Sequence, residues 1–184
     1  MPDLWSRMGL LDLIRRQTGD YLRLRAAHLG SQVVRAFHAE GEDEVMLGVG
    51  SWIGVVDGDP RLVGLYGRHY SANPRTSAAA RRQHGVSGVG ESKCYMTPDC
   101  RAGFIWLRNT VDRMDGQIGV QCSFFRNEGP ILSSDLVREA DDLAWAWRPN
   151  ERRHWTYVDP EQIRTGHKNP GKCFIKAGWR RCGM

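Results

Sequence analysis

The sequence predicts an α+β fold: a mixed, mostly antiparallel sheet flanked by helices, with a helical extension at the N-terminus. Three observations predict it. Apolar runs separated by turn signals fill the centre of the chain, an amphipathic helical segment with a proline stop follows them, and strand and helix patterns alternate from there to the end. With 184 residues, 41% of them hydrophobic, the chain suits one domain with a full core: residues 45–184 form the main unit and residues 1–44 a helical appendage.

Residues 3–38 read as helix because Leu22, Ala26, Leu29, Val33 and Phe37 fall on a single stripe, with Gly19 and Gly30 as bends. The acidic stretch AEGEDE is a linker, and VMLGVGSWIGVV is a strand or strand pair punctuated by glycine. DGDPRLVGLYGRHYS opens as a turn and passes into a short helix or loop. The small, polar and basic ANPRTSAAARRQHGVSGVGES reads as a mobile surface loop.

KCYMTP, AGFIWLR and IGVQCSFFR are then three strands of an antiparallel meander, divided by Pro98-Asp99 and Asp115-Gly116. SSDLVREADDLAWAW is a helix with Ser133 or Ser134 as N-cap, a buried stripe of Leu136, Ala140, Leu143 and Trp147, and Pro149 as its stop. HWTYVD is a strand. NPGKCFIKAGWRRCG closes the chain as a Pro-Gly turn, a short helix and a last strand. Its aromatic content points to a docked terminus, with Phe174 and Ala177 inward and Gly178-Trp179 at the corner.

Composition narrows the function. No apolar run approaches a membrane span, and charges interrupt the N-terminal segment where a signal peptide needs an apolar stretch, so a cytoplasmic protein is expected. Cys94, Cys100, Cys122, Cys173 and Cys182 are odd in number and contain no C-x-x-C pair. Reduced thiols, rather than a disulfide framework or a zinc knuckle, follow, and no metal site is expected. The net charge is +5, with 22 Arg against 4 Lys, and a planar guanidinium fork suits phosphate. That balance leans toward nucleic acid or a phosphorylated ligand. Arg75, Arg81, Arg82 and His84 are candidates to meet phosphates. A solvated linker is the alternative for the loop that carries them.

The order of elements, three meandering strands followed by a β-α-β-α-β tail, resembles the Gcn5-related acyltransferase architecture. RHYS, LSSDLVREA, TYVDP and NPGKCFIKAGW together resemble the Mom-type DNA-modification proteins of phages and mobile elements, divergent members of that superfamily. The resemblance covers about residues 45–183. It implies an enzyme that binds double-stranded DNA, extrudes adenine and adds a small acyl or carbamoylmethyl-type group from a small-molecule donor, protecting the DNA from restriction. Two alternatives stand beside it: an acyl-CoA-dependent N-acyltransferase acting on a small amine or a protein, and a non-catalytic DNA-binding derivative of the fold.

The same resemblance assigns residues. Asp159, at the end of a strand, would orient an amine or accept its proton; a turn-initiating Asp before Pro is the structural alternative. Ser134 lies at a helix start that would face a cofactor or substrate phosphate, or else is a plain N-cap. His69 would act as a base or a metal ligand and Tyr70 as a stacking platform, or the pair is helix-end packing. Arg101 would contact phosphate, or is an exposed strand-end cation. The superfamily's glycine-rich pyrophosphate loop is reduced here to Arg126 and Gly129 of RNEGPIL, with Ser133 following, so an acyl-CoA or a related donor has little left to hold it. Phe174 stands where many such enzymes carry a proton-donating Tyr; either another group, such as Tyr157, supplies the proton, or the donor is not a plain acyl thioester.

Overall fold

The structure, a computed structural model, describes residues 11–16, 34–38, 45–162 and 169–182. Nine strands form one sheet in the order β2-β3-β4-β5-β6-β7-β8-β1-β9. They are β1 (Leu11–Arg16), β2 (Val34–His38), β3 (Val45–Val49), β4 (Trp52–Val55), β5 (Glu91–Met96), β6 (Ala102–Arg108), β7 (Val120–Asn127), β8 (Arg153–Val158) and β9 (Arg180–Arg181). Among the described residues four α-helices accompany them: α1 (Pro60–Gly67), α2 (Ala78–His84), α3 (Ser133–Trp147) and α4 (Lys172–Lys176). The α+β class and the mostly antiparallel sheet agree with the sequence. Every strand pairing is antiparallel except that of β7 with β8.

The N-terminal expectation needs correction where the structure describes it. Leu11–Arg16 and Val34–His38 are strands, not helix, paired with β8 and β3. Short apolar runs fit either period, and pairing to a neighbouring strand outweighs a weak helical stripe. The stripe residues 22, 26, 29 and 33 and the acidic linker lie outside the described residues.

β6 runs through the middle of the sheet and is buried on both faces, which explains its unbroken apolar sequence. Phe104 and Trp106 face α3 and α4, in a core with Trp52, Leu136, Ala140, Phe174 and Trp179. Ile105 faces α1, with Leu62, Leu65, Met96 and Phe124. Gly103 lets α1 lie close: a Cβ there would meet Leu65 at 2.9 Å and Leu62 at 3.0 Å.

Tryptophan side chains tie α3 down. The Trp52 indole donates to the Leu136 carbonyl at 3.0 Å and the Trp106 indole to the Ala140 carbonyl at 2.8 Å, one turn further along. At the other edge Glu139 accepts from Ser51 N at 2.7 Å and so holds the β3–β4 turn, where Gly50 has a φ of 63°. α3 buries Leu136, Val137, Ala140 and Ala144, while Leu143 and Trp147 of the expected stripe are only half-buried.

Two local expectations change. α3 has Leu132 at its N-cap position with no side-chain cap; the Ser133 hydroxyl accepts from Asn127 Nδ2 at 3.0 Å instead. The expected loop of residues 72–92 contains α2, capped by Ser77 Oγ, which accepts from Ala80 N at 3.1 Å. Three consecutive alanines behind a serine cap favour that helix. The C-terminal segment is docked as expected: Phe174, Ala177 and Trp179 are buried, and Gly178 turns the corner at a φ of 96°.

Candidate functional site

β7 and β8 run parallel but share only two rungs, Val120 with His154 and Gln121 with Trp155. A bulge accounts for their parting. Trp106 lies opposite Cys122 and Ile105 opposite Phe124, so Ser123 is an extra residue in β7. The bulge also switches the faces. Val120 and Cys122 belong to the α3 side of the core, Phe124 to the α1 side, and the next residue, Phe125, again packs toward α3. Just past the last rung the Thr156 hydroxyl donates to the Cys122 carbonyl at 2.8 Å, occupying an acceptor that the ladder no longer serves. The start of the pair is fixed by Gly119, whose φ is 95° and where a Cβ would lie 2.3 Å from the Arg153 carbonyl.

The strands open onto a cavity of about 460 Å³. Its walls are aromatic: His69 and Tyr70 from the turn after α1, Phe124 and Phe125 from β7, Tyr157 from β8, and Phe174 from α4. Gln121, Ser123 and Thr156 add neutral polar groups, and Asp159 is the one formally charged residue among the described residues that line it. The structure therefore brings together four of the residues singled out from sequence: His69, Tyr70, Tyr157 and Asp159.

His69 lies against Tyr70 with ring centroids 4.2 Å apart and meets Phe124 edge-on at 5.1 Å. Its Nδ1 accepts from Ser71 N at 3.3 Å and lies 2.8 Å from Ser71 Oγ. Burial, with the Arg126 cation adding to it, lowers its pKa to about 4. The imidazole is thus neutral at pH 7, and the acceptor role of Nδ1 assigns the proton to Nε2. Tyr70 reaches across the mouth, its hydroxyl accepting from Asp159 N at 3.5 Å, and burial pushes its phenol up.

Asp159 Oδ1 accepts from Glu161 N at 2.9 Å, which caps the 3-10 turn Pro160–Gln162. Both the turn role and the cavity position are therefore real. Tyr157 donates to Asp115 Oδ2 at 3.2 Å. Burial acts to raise the Asp115 pKa, but hydrogen bonds from Arg113 and Gln117 outweigh it and hold the carboxyl below its usual range. Arg113 in turn lies over the Trp155 ring at 4.8 Å. The Tyr157 hydroxyl is thereby aimed at the β6–β7 loop.

The other candidates lie elsewhere. Ser134 is buried on α3 outside the cavity lining. Arg126, Gly129 and Ser133 are engaged locally. Arg126 Nε donates to Glu128 at 2.6 Å and its Nη1 to the Arg68 carbonyl at 2.6 Å, and Gly129 N donates to Asn127 Oδ1 at 2.8 Å. Glu128, bonded to both Arg68 and Arg126, has its pKa lowered to about 2. Two backbone N–H groups of this loop, those of Glu128 and Gly129, are thus already bonded, to the Arg101 carbonyl and to Asn127 Oδ1. Arg101 lies beside them, its carbonyl accepting from Glu128 N at 2.7 Å. Arg75, Arg81, Arg82 and Arg101 form no ion pair among the described residues, whereas Arg61, Arg68, Arg108, Arg113 and Arg126 each do.

No protein-family model, curated protein or solved structure matches the chain. The site is therefore read from its own geometry.

Sequence reasoning missed Phe125, Thr156 and Cys173 as cavity residues, and Asp115 as the anchor of Tyr157. The adjacent Phe124 and Phe125, within a strand otherwise apolar at alternate positions, were the available sign of the bulge. All five cysteines are free; burial raises the Cys122 and Cys173 thiols, both in the cavity wall. Among the described residues no group of three or more His, Cys, Asp or Glu is placed to hold a metal ion, and no helix is long and apolar enough to cross a membrane.

Proposed function

We propose that the protein is a cytoplasmic transferase that modifies a base in double-stranded DNA, adding a small acyl or carbamoylmethyl-type group to the exocyclic amine of adenine and so protecting the DNA from restriction. One observation carries the reading: the opened β7–β8 pair gathers His69, Tyr70 and Asp159 around an aromatic cavity large enough for a base and a small group donor.

An extruded base stacks against Tyr70, which extends from the rim and is half-exposed. The neutral His69 donates from Nε2 to a ring nitrogen of the adenine. Asp159 keeps one carboxylate oxygen available beyond its turn bond and takes the proton of the amine. The amine nitrogen bonds to the carbon of the transferred group, and the bond from that carbon to the donor's leaving group breaks with its electron pair. The unpaired Arg75, Arg81, Arg82 and Arg101 supply phosphate contacts.

The test is mass spectrometry of nucleosides from the DNA of cells expressing the wild type or Asp159→Asn. A new adenosine-derived mass present only with the wild type is expected. Unmodified DNA from cells holding soluble wild-type protein, or undiminished modification by Asp159→Asn, counts against the reading or against the role of Asp159 respectively.

A further inference from the structure

A second cavity, of about 370 Å³, lies between α1 and α2 and is separate from the β7–β8 cleft. Its volume falls within the range of about 300–1,000 Å³ usual for small-molecule sites. Tyr66 forms its floor, Arg81 and His84 of α2 one wall, Asn73 and Thr76 a second, and Val89 the lip. The Arg81 guanidinium stands over the Tyr66 ring at 5.6 Å and donates from Nη2 to the Asn73 carbonyl at 2.5 Å. It forms no ion pair among the described residues, so no carboxylate there competes for its N–H donors. Gly67 makes room for it: a Cβ there would lie 3.1 Å from Arg81 Nη1.

The cavity is built rather than incidental. Asp57 accepts from Val86 N at 2.7 Å and from Ser87 N at 3.3 Å, which holds the lip in place. Val89 is 77% exposed there, an apolar surface with nothing packed on it. A fixed cation, a hydroxyl and an imidazole on one side, with an aromatic floor and an apolar lip on the other, suit a ligand that has both a phosphate and a flat ring.

We infer that this cavity binds a nucleoside phosphate, its phosphate on Arg81, Thr76 and His84 and its base between Tyr66 and Val89. The inference goes beyond the transferase reading and does not require it, because a free nucleotide and one unit of a DNA strand present the same chemistry. The site is nonetheless close to the first cavity: Tyr66 packs on Phe124 at 5.3 Å, and Phe124 lines the cleft.

The test titrates full-length protein with adenosine 5′-monophosphate, adenosine, inorganic phosphate and a short single-stranded oligonucleotide at fixed ionic strength. The mononucleotide is expected to bind about tenfold or more tightly than either adenosine or phosphate, as a charge-assisted bond added to ring packing requires. Arg81→Gln is expected to lose about tenfold, and Arg138→Gln, an exposed cation on α3 outside the cavity and paired with Asp135, less than about twofold. Val89→Asp, at an exposed position where folding is unaffected, repels the same ligand and serves if Arg81→Gln is poorly folded. Parallel losses for mononucleotide and oligonucleotide assign the cavity to one unit of a strand; losses for the mononucleotide alone assign it to a free nucleotide. Mononucleotide binding no tighter than phosphate, or equal losses at Arg138 and Arg81, overturns the inference. Absence of DNA modification in cells leaves these titrations unaffected, so the two proposals fail separately.

Discussion

His69 places a perturbed imidazole in the wall of the cleft. Its pKa of about 4, set first by burial and then by Arg126, lies below the 6.5 of an unfolded chain. Between those values the unfolded state holds a proton that the folded state does not, so stability falls as pH drops from about 6.5 toward 4, by at most about 3 kcal/mol. Urea unfolding of the wild type and His69→Gln across that range should show the wild type losing stability and the variant losing markedly less; identical slopes would remove the buried, neutral imidazole. Glu128 acts in a different window. Its pKa is lowered to about 2 by Arg68 and Arg126, so its contribution is complete above about 4.5 and disappears below that. A loss confined to pH 2–4 would therefore belong to the Glu128 cluster and not to His69.

At the scale of elements, α3, β8 and the C-terminal segment are joined by one carboxylate. Asp141, fully buried, has Oδ1 2.9 Å from His154 Nδ1 and accepts at Oδ2 from the Trp179 indole at 2.8 Å. His154 stacks on Trp145 at 3.5 Å and occupies the first shared rung of β7 and β8. Asp141→Ala leaves two buried polar groups without this partner and is expected to cost about 3 kcal/mol or more, whereas Trp179→Phe removes one bond and costs about 1–2 kcal/mol. Denaturant midpoints compare the two; equal and small shifts would mean that Asp141 is replaceable. The elements themselves were largely legible. The turn pairs, the proline after α3 and the apolar runs of β5–β7 gave boundaries that local chemistry enforces. The N-terminal strands were not, because a short apolar stretch carries no sign of the distant strand it pairs with. The site was half legible: His69, Tyr70, Tyr157 and Asp159 stand near turns with visible chemistry, but Phe125 reaches the cleft only through the bulge, and Asp115 bears on it only by anchoring the Tyr157 hydroxyl from the β6–β7 loop. Ser134 and the Arg126–Gly129 segment looked functional because serine before a helix and arginine before glycine have two uses, and here packing and local hydrogen bonding take them.

At the scale of the whole molecule, the charge is unevenly committed. The net charge of +5 is carried by arginine, and the cations left without carboxylate partners include the run Arg75, Arg81 and Arg82 on and before α2. If DNA engages this face, the plot of log affinity against log salt should be steep, and replacing all three with Gln should reduce its slope by about 2–3, one counterion for each lost phosphate contact. Duplex titrations over a range of salt measure this directly, and an unchanged slope would place DNA on another face. The cleft itself has a different dependence. Its two walls part because of a backbone bulge, beyond a start that Gly119 holds close, and not because of the side chains that point into it. Lining residues can therefore be exchanged while the opening keeps its width, so the pocket's chemistry can be redesigned for a new ligand without first rebuilding the scaffold.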